Sequence, residues 1–457
     1  MPFQSFFDEP DHYKDRFGFY EQGGSPLLLQ KFIATIEEQR NDIKEINISW
    51  YLYNNQHLHD YLKEVAAGGI VVNVITIPLE GYDHSKPKVI ENLVTGKRSS
   101  KSLTKYNLAR NIFGEMYRST SIKNINLYIF PHLYVRSARV KKFSRGALPY
   151  SLHIKSAYIK KKSGYIAVMS SSNLAVRDLV KNESMICVED EPNYEEHIKA
   201  FYKNLIGNSI HIKNYRASLD TTCNTYEKID FNFSNLVCIT APFYENSAHL
   251  LDKTLSALIL TAKERIIVCA QHLAAFNYEF NAKHHTIINK NEIRKGILGE
   301  VISMANKGIK VTCLSQTFAP LVKDEKKFKE IKFRRPANTN NFQQFFSQLI
   351  KTENTEYFVN ENIHSKFILI DDTLIYCSYN FTPTQFIYLD NVTIPKFKNM
   401  PHLSYNGIHC EVGMHLVIKD QHTVKAFENN VADIKRKKET IAVTNFGASP
   451  QSINLKT

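Results

Sequence analysis

Two short stretches of this chain carry side chains whose types and spacing could do chemistry. One holds His153 and Lys155, then Ser171 and Asn173, in "LHIKSAYIKKKSGYIAVMSSSNL"; the other holds His364 and Lys366, then Ser378 and Asn380, in "IHSKFILIDDTLIYCSYNF". Each reads as strand, hairpin, strand. Side chains alternate along a strand, so each His shares a face with its Lys, and the hairpin returns the Ser and Asn beside them. An imidazole can attack phosphorus or carry a proton, an ammonium neutralises oxygens, and an amide donates hydrogen bonds to them. Taken together the two copies supply two imidazoles, two ammoniums (Lys155 and Lys366) and two amides (Asn173 and Asn380), a set suited to a phosphate. One neutral imidazole attacks, the other gives its proton to the leaving oxygen, and water or an alcohol then cleaves the phosphohistidine. The lysines take the electrostatic part a metal would play, so the expectation is no metal and no cofactor. A lone histidine on a strand is ordinarily a core residue; the doubling is what carries the catalytic reading.

The elements that must position these residues are themselves repeated. Residues 26–77 read as helix, strand, helix, strand, and residues 247–315 give the same order. The closest echo is "LKEVAAGGIVVNV" beside "VISMANKGIKVTC", a helix closed by glycine that feeds a β-branched strand. Each copy continues with a helical stretch ("LTKYNLARNIFGEMY" or "NNFQQFFSQLI"), a short strand ("INLYIF" or "TEYFV") and then its motif. Strands alternating with helices twice over predict a duplicated α/β unit. The expected domains are 20–210 and 241–432, joined by a connector around Asn214–Ser234. Residues 433–457, basic and then polar, read as a tail without periodicity. Between Ile363 and Ile370 both parities carry apolar residues, Phe367 and Leu369 on one face and Ile368 and Ile370 on the other, which predicts a strand covered on both faces.

These residues resemble the phospholipase D superfamily, whose mark is His-x-Lys, four residues, Asp, and a later Gly-Ser-x-Asn, present twice. His364, Lys366 and Asp371 match that spacing, and Cys377, Ser378 and Asn380 match its end with Cys in place of Gly. His153, Lys155, Ser171 and Asn173 match in the first copy, where Lys160 stands in the place of the Asp and the His-to-Asn span is 20 residues against 16. Tyrosyl-DNA phosphodiesterases, a branch of the superfamily, also lack that Asp. The resemblance implies two mixed β-sheets flanked by helices, a pseudo-twofold arrangement and an active site between the halves. It implies His153 as the attacking residue and His364 as the acid, and a Glu after each Asn that orients a histidine: Glu183 in the first copy and, across an insertion at Tyr388–His409, Glu411 in the second. Both motifs lie in one chain, so a monomer suffices.

Lys and Arg exceed Asp and Glu by 58 to 45, a net charge of +13, which favours a polyanionic partner. Cations interleaved with Phe and Tyr in "RSARVKKFSRG" (Arg136–Gly146), "YIKKKSGY" and "KKFKEIKFRRPANTNNFQQFF" (Lys326–Phe346) suit nucleic-acid backbone contacts with base stacking. The expectation is a nuclease acting on DNA rather than RNA, in a restriction or antiviral setting. The rivals are phosphatidyl transfer on anionic lipid, which would want an amphipathic anchor, and a nucleic-acid-binding protein with a decayed site. The seven cysteines are scattered without zinc-site spacing and mostly sit in apolar runs, as buried thiols in a reducing compartment do. No leader and no apolar run of about 18 residues is apparent, so the expected location is cytoplasmic.

Overall fold

The structure, a computed structural model, describes residues 2–9, 27–51, 53–77, 105–118, 123–130, 152–174, 181–214, 229–230, 234–241, 243–245, 247–271, 273, 278–281, 286–289, 297–316, 349, 351–360, 362–381, 412–443 and 455–456. These residues form two compact units, the first running to Asn214 and the second starting at Ile229.

In the first unit, β1 (Phe3–Asp8), α1 (Leu27–Glu38), β2 (Ile43–Trp50), α2 (Gln56–Ala67), β3 (Val71–Thr76), α3 (Lys105–Arg118), β4 (Ile125–Ile129), β5 (Lys155–Lys161), β6 (Tyr165–Ser170), β7 (Glu183–Glu189), α4 (Pro192–Gly207) and β8 (Ile210–His211) follow in order. The sheet order is β1-β7-β6-β5-β2-β3-β4-β8. The β2–β3 and β3–β4 pairs are parallel and the rest antiparallel.

The second unit contains β9 (Val237–Thr240), α5 (Ser247–Ile259), β10 (Arg265–Ala270), a separate β11–β12 ribbon (Tyr278–Asn281, Thr286–Asn289), α6 (Ile297–Asn306), β13 (Lys310–Ser315), β14 (Thr355–Val359), β15 (Phe367–Ile370), β16 (Thr373–Cys377), β17 (Gly413–Ile418), α7 (Gln421–Arg436), β18 (Ile441–Val443) and β19 (Leu455–Lys456). Its order, β9-β17-β16-β15-β10-β13-β14-β18-β19, repeats the first sheet strand for strand and adds β19 at the edge. Again only β10–β13 and β13–β14 are parallel. The duplicated α/β expectation is borne out by these two mixed sheets.

Helix periodicity explains the layers. Leu28, Leu29, Phe32 and Ile36 of α1 and Leu58, Leu62, Val65 and Ala66 of α2 are buried stripes against one sheet face. Asn55 caps α2, its Oδ1 accepting from Leu58 N at 3.2 Å. The echoed glycines do what the sequence implies: Gly69 (φ +98°) and Gly308 (φ +91°) take left-handed backbone after α2 and α6 and turn the chain into β3 and β13. Each motif strand is covered on both faces. Ala157 and Ile159 of β5 pack into the core under α1–α3, while Ser156 and Tyr158 meet Tyr202 and Glu195 of α4. Ile368 and Ile370 of β15 lie in the core of the second unit, and Phe367 packs edge-on against Phe427 of α7.

The structure corrects both ends of the expected domains. The first unit begins at Phe3 rather than near residue 20, because β1 pairs with β7 along its whole length, Phe3 opposite Val188 to Asp8 opposite Glu183. The stretch 433–457 is not simply a tail. α7 continues to Arg436, and β18 adds to β14 with Phe358 opposite Ala442, burying Val443. A three-residue strand is too short to show periodicity, which is why composition alone misreads it. Most of "NNFQQFFSQLI" lies outside the described residues. No helix among the described residues is long and apolar enough to cross a membrane. Cys187, Cys238, Cys269, Cys313 and Cys377 are free and buried, as expected; Cys223 and Cys410 lie outside the described residues.

Candidate active site

Each lysine of the motifs is buried, and each is tethered by its own histidine. Lys155 Nζ donates to the carbonyl of His153 at 3.2 Å, and Lys366 Nζ donates to the carbonyl of His364. A buried ammonium persists only where oxygens receive its protons. The same closure forms in both copies, with the histidines half-buried at the mouth of the strand. The Lys366 charge is felt in the core: burial pushes the Cys269 thiol up to about 12, with the Lys366 ammonium pulling the other way.

Strand pairing brings the downstream Ser and Asn alongside. Ser156 pairs with Met169, so Lys155 lies opposite Ser170, and Cys377 N donates to Lys366 O at 2.9 Å. The two hairpins then close in the same way. Ser171 N donates to Ser184 O at 2.9 Å and Ser184 N donates to Ser171 Oγ at 2.9 Å. In the second unit Ser378 N donates to Met414 O at 2.9 Å and Met414 N to Ser378 Oγ at 2.9 Å. Each motif serine therefore knits its hairpin to the next strand and fixes the turn that carries Asn173 or Asn380. After Asn173, Leu174 takes a left-handed φ of 48°, and its carbonyl accepts from Asn55 Nδ2 at 2.9 Å. After Asn380, Phe381 bridges to Leu273.

That correspondence shows where the two copies differ. Ser184 matches Met414, so the residue matching Glu183 is Gly413. Glu183 is buried and takes a hydrogen bond from the Ser171 hydroxyl. Glu411, expected to correspond to Glu183, lies outside the described residues.

Asp371 is also corrected. It occupies the β15–β16 turn with a φ of 49°, five residues past Lys366 and so about 16 Å along the strand. Its carboxylate accepts from Lys263 N at 2.8 Å and from Glu264 N and Arg265 N at 2.9 Å. Burial opposes ionisation there, yet the Arg265, Lys263 and Glu264 N–H groups hold the carboxyl below its ordinary value. Asp371 thus pins the approach to β10 and touches neither His364 nor Lys366. The missing Asp of the first copy has the same explanation. β5 runs to Lys161, so Lys160 is still within the strand and exposed, opposite Glu45. The turn contacts pass to Lys162, whose N donates to Asp42 O and whose Nζ donates to Asn41 O, both at 2.7 Å.

The cationic segments fare unevenly. Lys160 and Lys162 are exposed, but Lys161 is buried between Glu189 and Asp190 at 2.7 Å each. This tip lies at the far end of β5 from His153. Arg136–Gly146 and Lys326–Phe346 lie outside the described residues. No cluster of metal-ligating side chains occurs among the described residues.

Sequence patterns alone did not point to Tyr51, which lies against both His153 and Lys155. They also missed two buried Tyr–His pairs, Tyr53–His59 at 3.0 Å and Tyr379–His415 at 2.7 Å. Burial holds His59 down at about 4 and His415 at about 3.

No family model matches this chain, and no curated protein matches it. Among solved structures it is similar to polyphosphate kinase from Porphyromonas gingivalis, with TM-score 0.47 and 10% identity over 95% of this chain and 51% of that one. The chain thus spans about half the length of that kinase. It is also similar to phosphatidylserine synthase of Haemophilus influenzae, with TM-score 0.49 and 13% identity over 91% of this chain and 86% of that one. NucT from Helicobacter pylori matches 46% of this chain and 98% of its own, at 15% identity and TM-score 0.27. With one sheet order written twice and a His-x-Lys strand at the same place in each, the chain has a duplicated mixed α/β fold.

Proposed function

We propose that this protein is a phosphodiesterase that works without a metal, cleaving DNA through a phosphohistidine. The observation that carries this is the pair of buried lysines, each tethered to the carbonyl of the histidine two residues before it on the matching strand of each unit. One imidazole nitrogen forms a bond to phosphorus as the bond from phosphorus to the leaving oxygen breaks, and that oxygen takes a proton from the second imidazolium. Water then attacks phosphorus, gives its proton to the second imidazole, and breaks the N–P bond. The chain supplies both imidazoles, His153 and His364. Lys155, Lys366, Asn173 and Asn380 meet the charge that builds on the non-bridging oxygens. Net charge of +13 and the cation–aromatic segments support nucleic acid as the polyanion.

The test is incubation with labelled single- and double-stranded DNA, RNA and anionic phospholipid vesicles in excess EDTA, beside His153→Ala and His364→Ala. DNA cleavage that survives EDTA and falls by about 10³-fold or more in each variant, with melting temperatures unchanged, is the expected result. Full turnover in either variant sinks the two-histidine chemistry. Lipid turnover in place of DNA cleavage makes the protein a phosphatidyltransferase, and tight binding without cleavage makes it a nucleic-acid binder.

A further inference from the structure

One aromatic side chain sits against the first motif at a position where the second copy has a glutamine. The Tyr51 ring meets the His153 imidazole edge to face, with centroids 5.5 Å apart and planes at 77°. The Lys155 ammonium lies 5.6 Å from the centroid of the same ring. Tyr51 directly follows Trp50, the last residue of β2, which is the residue opposite Lys155. In the second unit Cys269 is opposite Phe367, so Ala270 comes opposite Lys366 and Gln271 takes the place of Tyr51. Gln271 turns to a neighbour: its Nε2 donates to Gln316 Oε1 at 3.3 Å, and its carbonyl accepts from Gln316 N at 3.3 Å.

The geometry points to Tyr51 as a positioning residue for the His153–Lys155 pair, a role nothing in the two motifs assigns. The inference rests on the phosphodiesterase reading for its effect on turnover. An imidazole swings about two side-chain torsions, and an aromatic ring packed edge-on closes off the alternative rotamers. An ammonium near an aromatic ring is drawn to its quadrupole, so Lys155 is held from two sides, by the His153 carbonyl and by the Tyr51 ring. An imidazole nitrogen that must meet phosphorus in line loses about 10²-fold in rate on a displacement near 1 Å. Neither contact uses the phenolic hydroxyl, so the ring is the working part.

The test compares Tyr51→Phe with Tyr51→Leu in the full-length protein, reading kcat and KM on DNA together with the His153 imidazole proton resonances. Tyr51→Gln, which copies the second unit's residue into the first, serves if Tyr51→Leu melts early. Tyr51→Leu is expected to lower kcat about thirtyfold with KM held within about threefold, and Tyr51→Phe to restore kcat to within about threefold. The His153 resonances, displaced by the ring current in the native protein and in Tyr51→Phe, move to those of a freely turning histidine in Tyr51→Leu. Native kcat together with unmoved resonances in Tyr51→Leu overturns the proposal, as does an equal loss in Tyr51→Phe and Tyr51→Leu. If the native protein cleaves no phosphodiester, the phosphodiesterase reading falls by itself, and the resonances still decide whether Tyr51 holds His153.

Discussion

At the scale of single residues, the two buried lysines separate chemistry from architecture. Each ammonium is removed from water and held by a carbonyl two residues back, and the next two residues of the same parity along its strand are apolar. Burying a charge costs stability, which fits groups kept for the proposed reaction. Lys155→Met and Lys366→Met keep the stem's volume and delete the charge. The expected outcome is a melting temperature unchanged or raised, with turnover down by about 10²- to 10³-fold, since in the proposed reaction each lysine acts on charge that develops in the transition state. Thermal melts beside kinetics check this, and a large drop in melting temperature would mark the lysines as structural. By contrast, Ser171 and Ser378 are architectural in both copies. Each hydroxyl takes the N–H of the facing strand at 2.9 Å, and their legibility in sequence came from that repeated structural role as much as from chemistry.

At the scale of elements, one acidic residue changes meaning once its strand is measured. Asp371 matches the motif spacing, yet a strand rises about 3.3 Å per residue, so four apolar residues carry it to the far turn. There it serves three N–H groups of the segment leading into β10. Asp371→Ala is expected to cost about 2 kcal/mol of stability, with Asp371→Asn milder because Asn accepts some of those bonds and tolerates the left-handed φ. Chemical denaturation measures the cost, and kcat at saturating substrate stays near native in both. A loss of kcat as deep as that of His364→Ala would return Asp371 to the active site. The first copy makes the same point from the other side: β5 extends through Lys161, and Lys162 with the Asn41 and Asp42 carbonyls does the turn's work without an aspartate.

At the scale of the whole molecule, each unit buries a neutral histidine, His59 in the first and His415 in the second. Burial lowers their pKa to about 4 and about 3, against an ordinary value of 6.5. The unfolded chain takes up protons on these groups below about pH 6.5, and the folded chain does not until near pH 4 and pH 3. Protons therefore favour unfolding, so stability is full above about pH 6.5 and declines as pH falls toward those lower values, by up to a few kcal/mol for each group. Urea titrations between pH 7 and pH 4 should show that slope, and His415→Gln, which keeps a partner for Tyr379, should flatten it; an identical slope in the variant contradicts the assignment. The duplication, the helix-ending glycines and both His-x-Lys strands were legible in the sequence because each repeats a local pattern whose period or backbone demand is set within a few residues. The N-terminal edge strand, β18, the turn role of Asp371, the match of Glu183 to Gly413 and the Tyr51 ring beside His153 were decided only by tertiary structure. Each depends on which strand lies beside which and in what register, and pairing between segments tens or hundreds of residues apart leaves no periodic trace in either one.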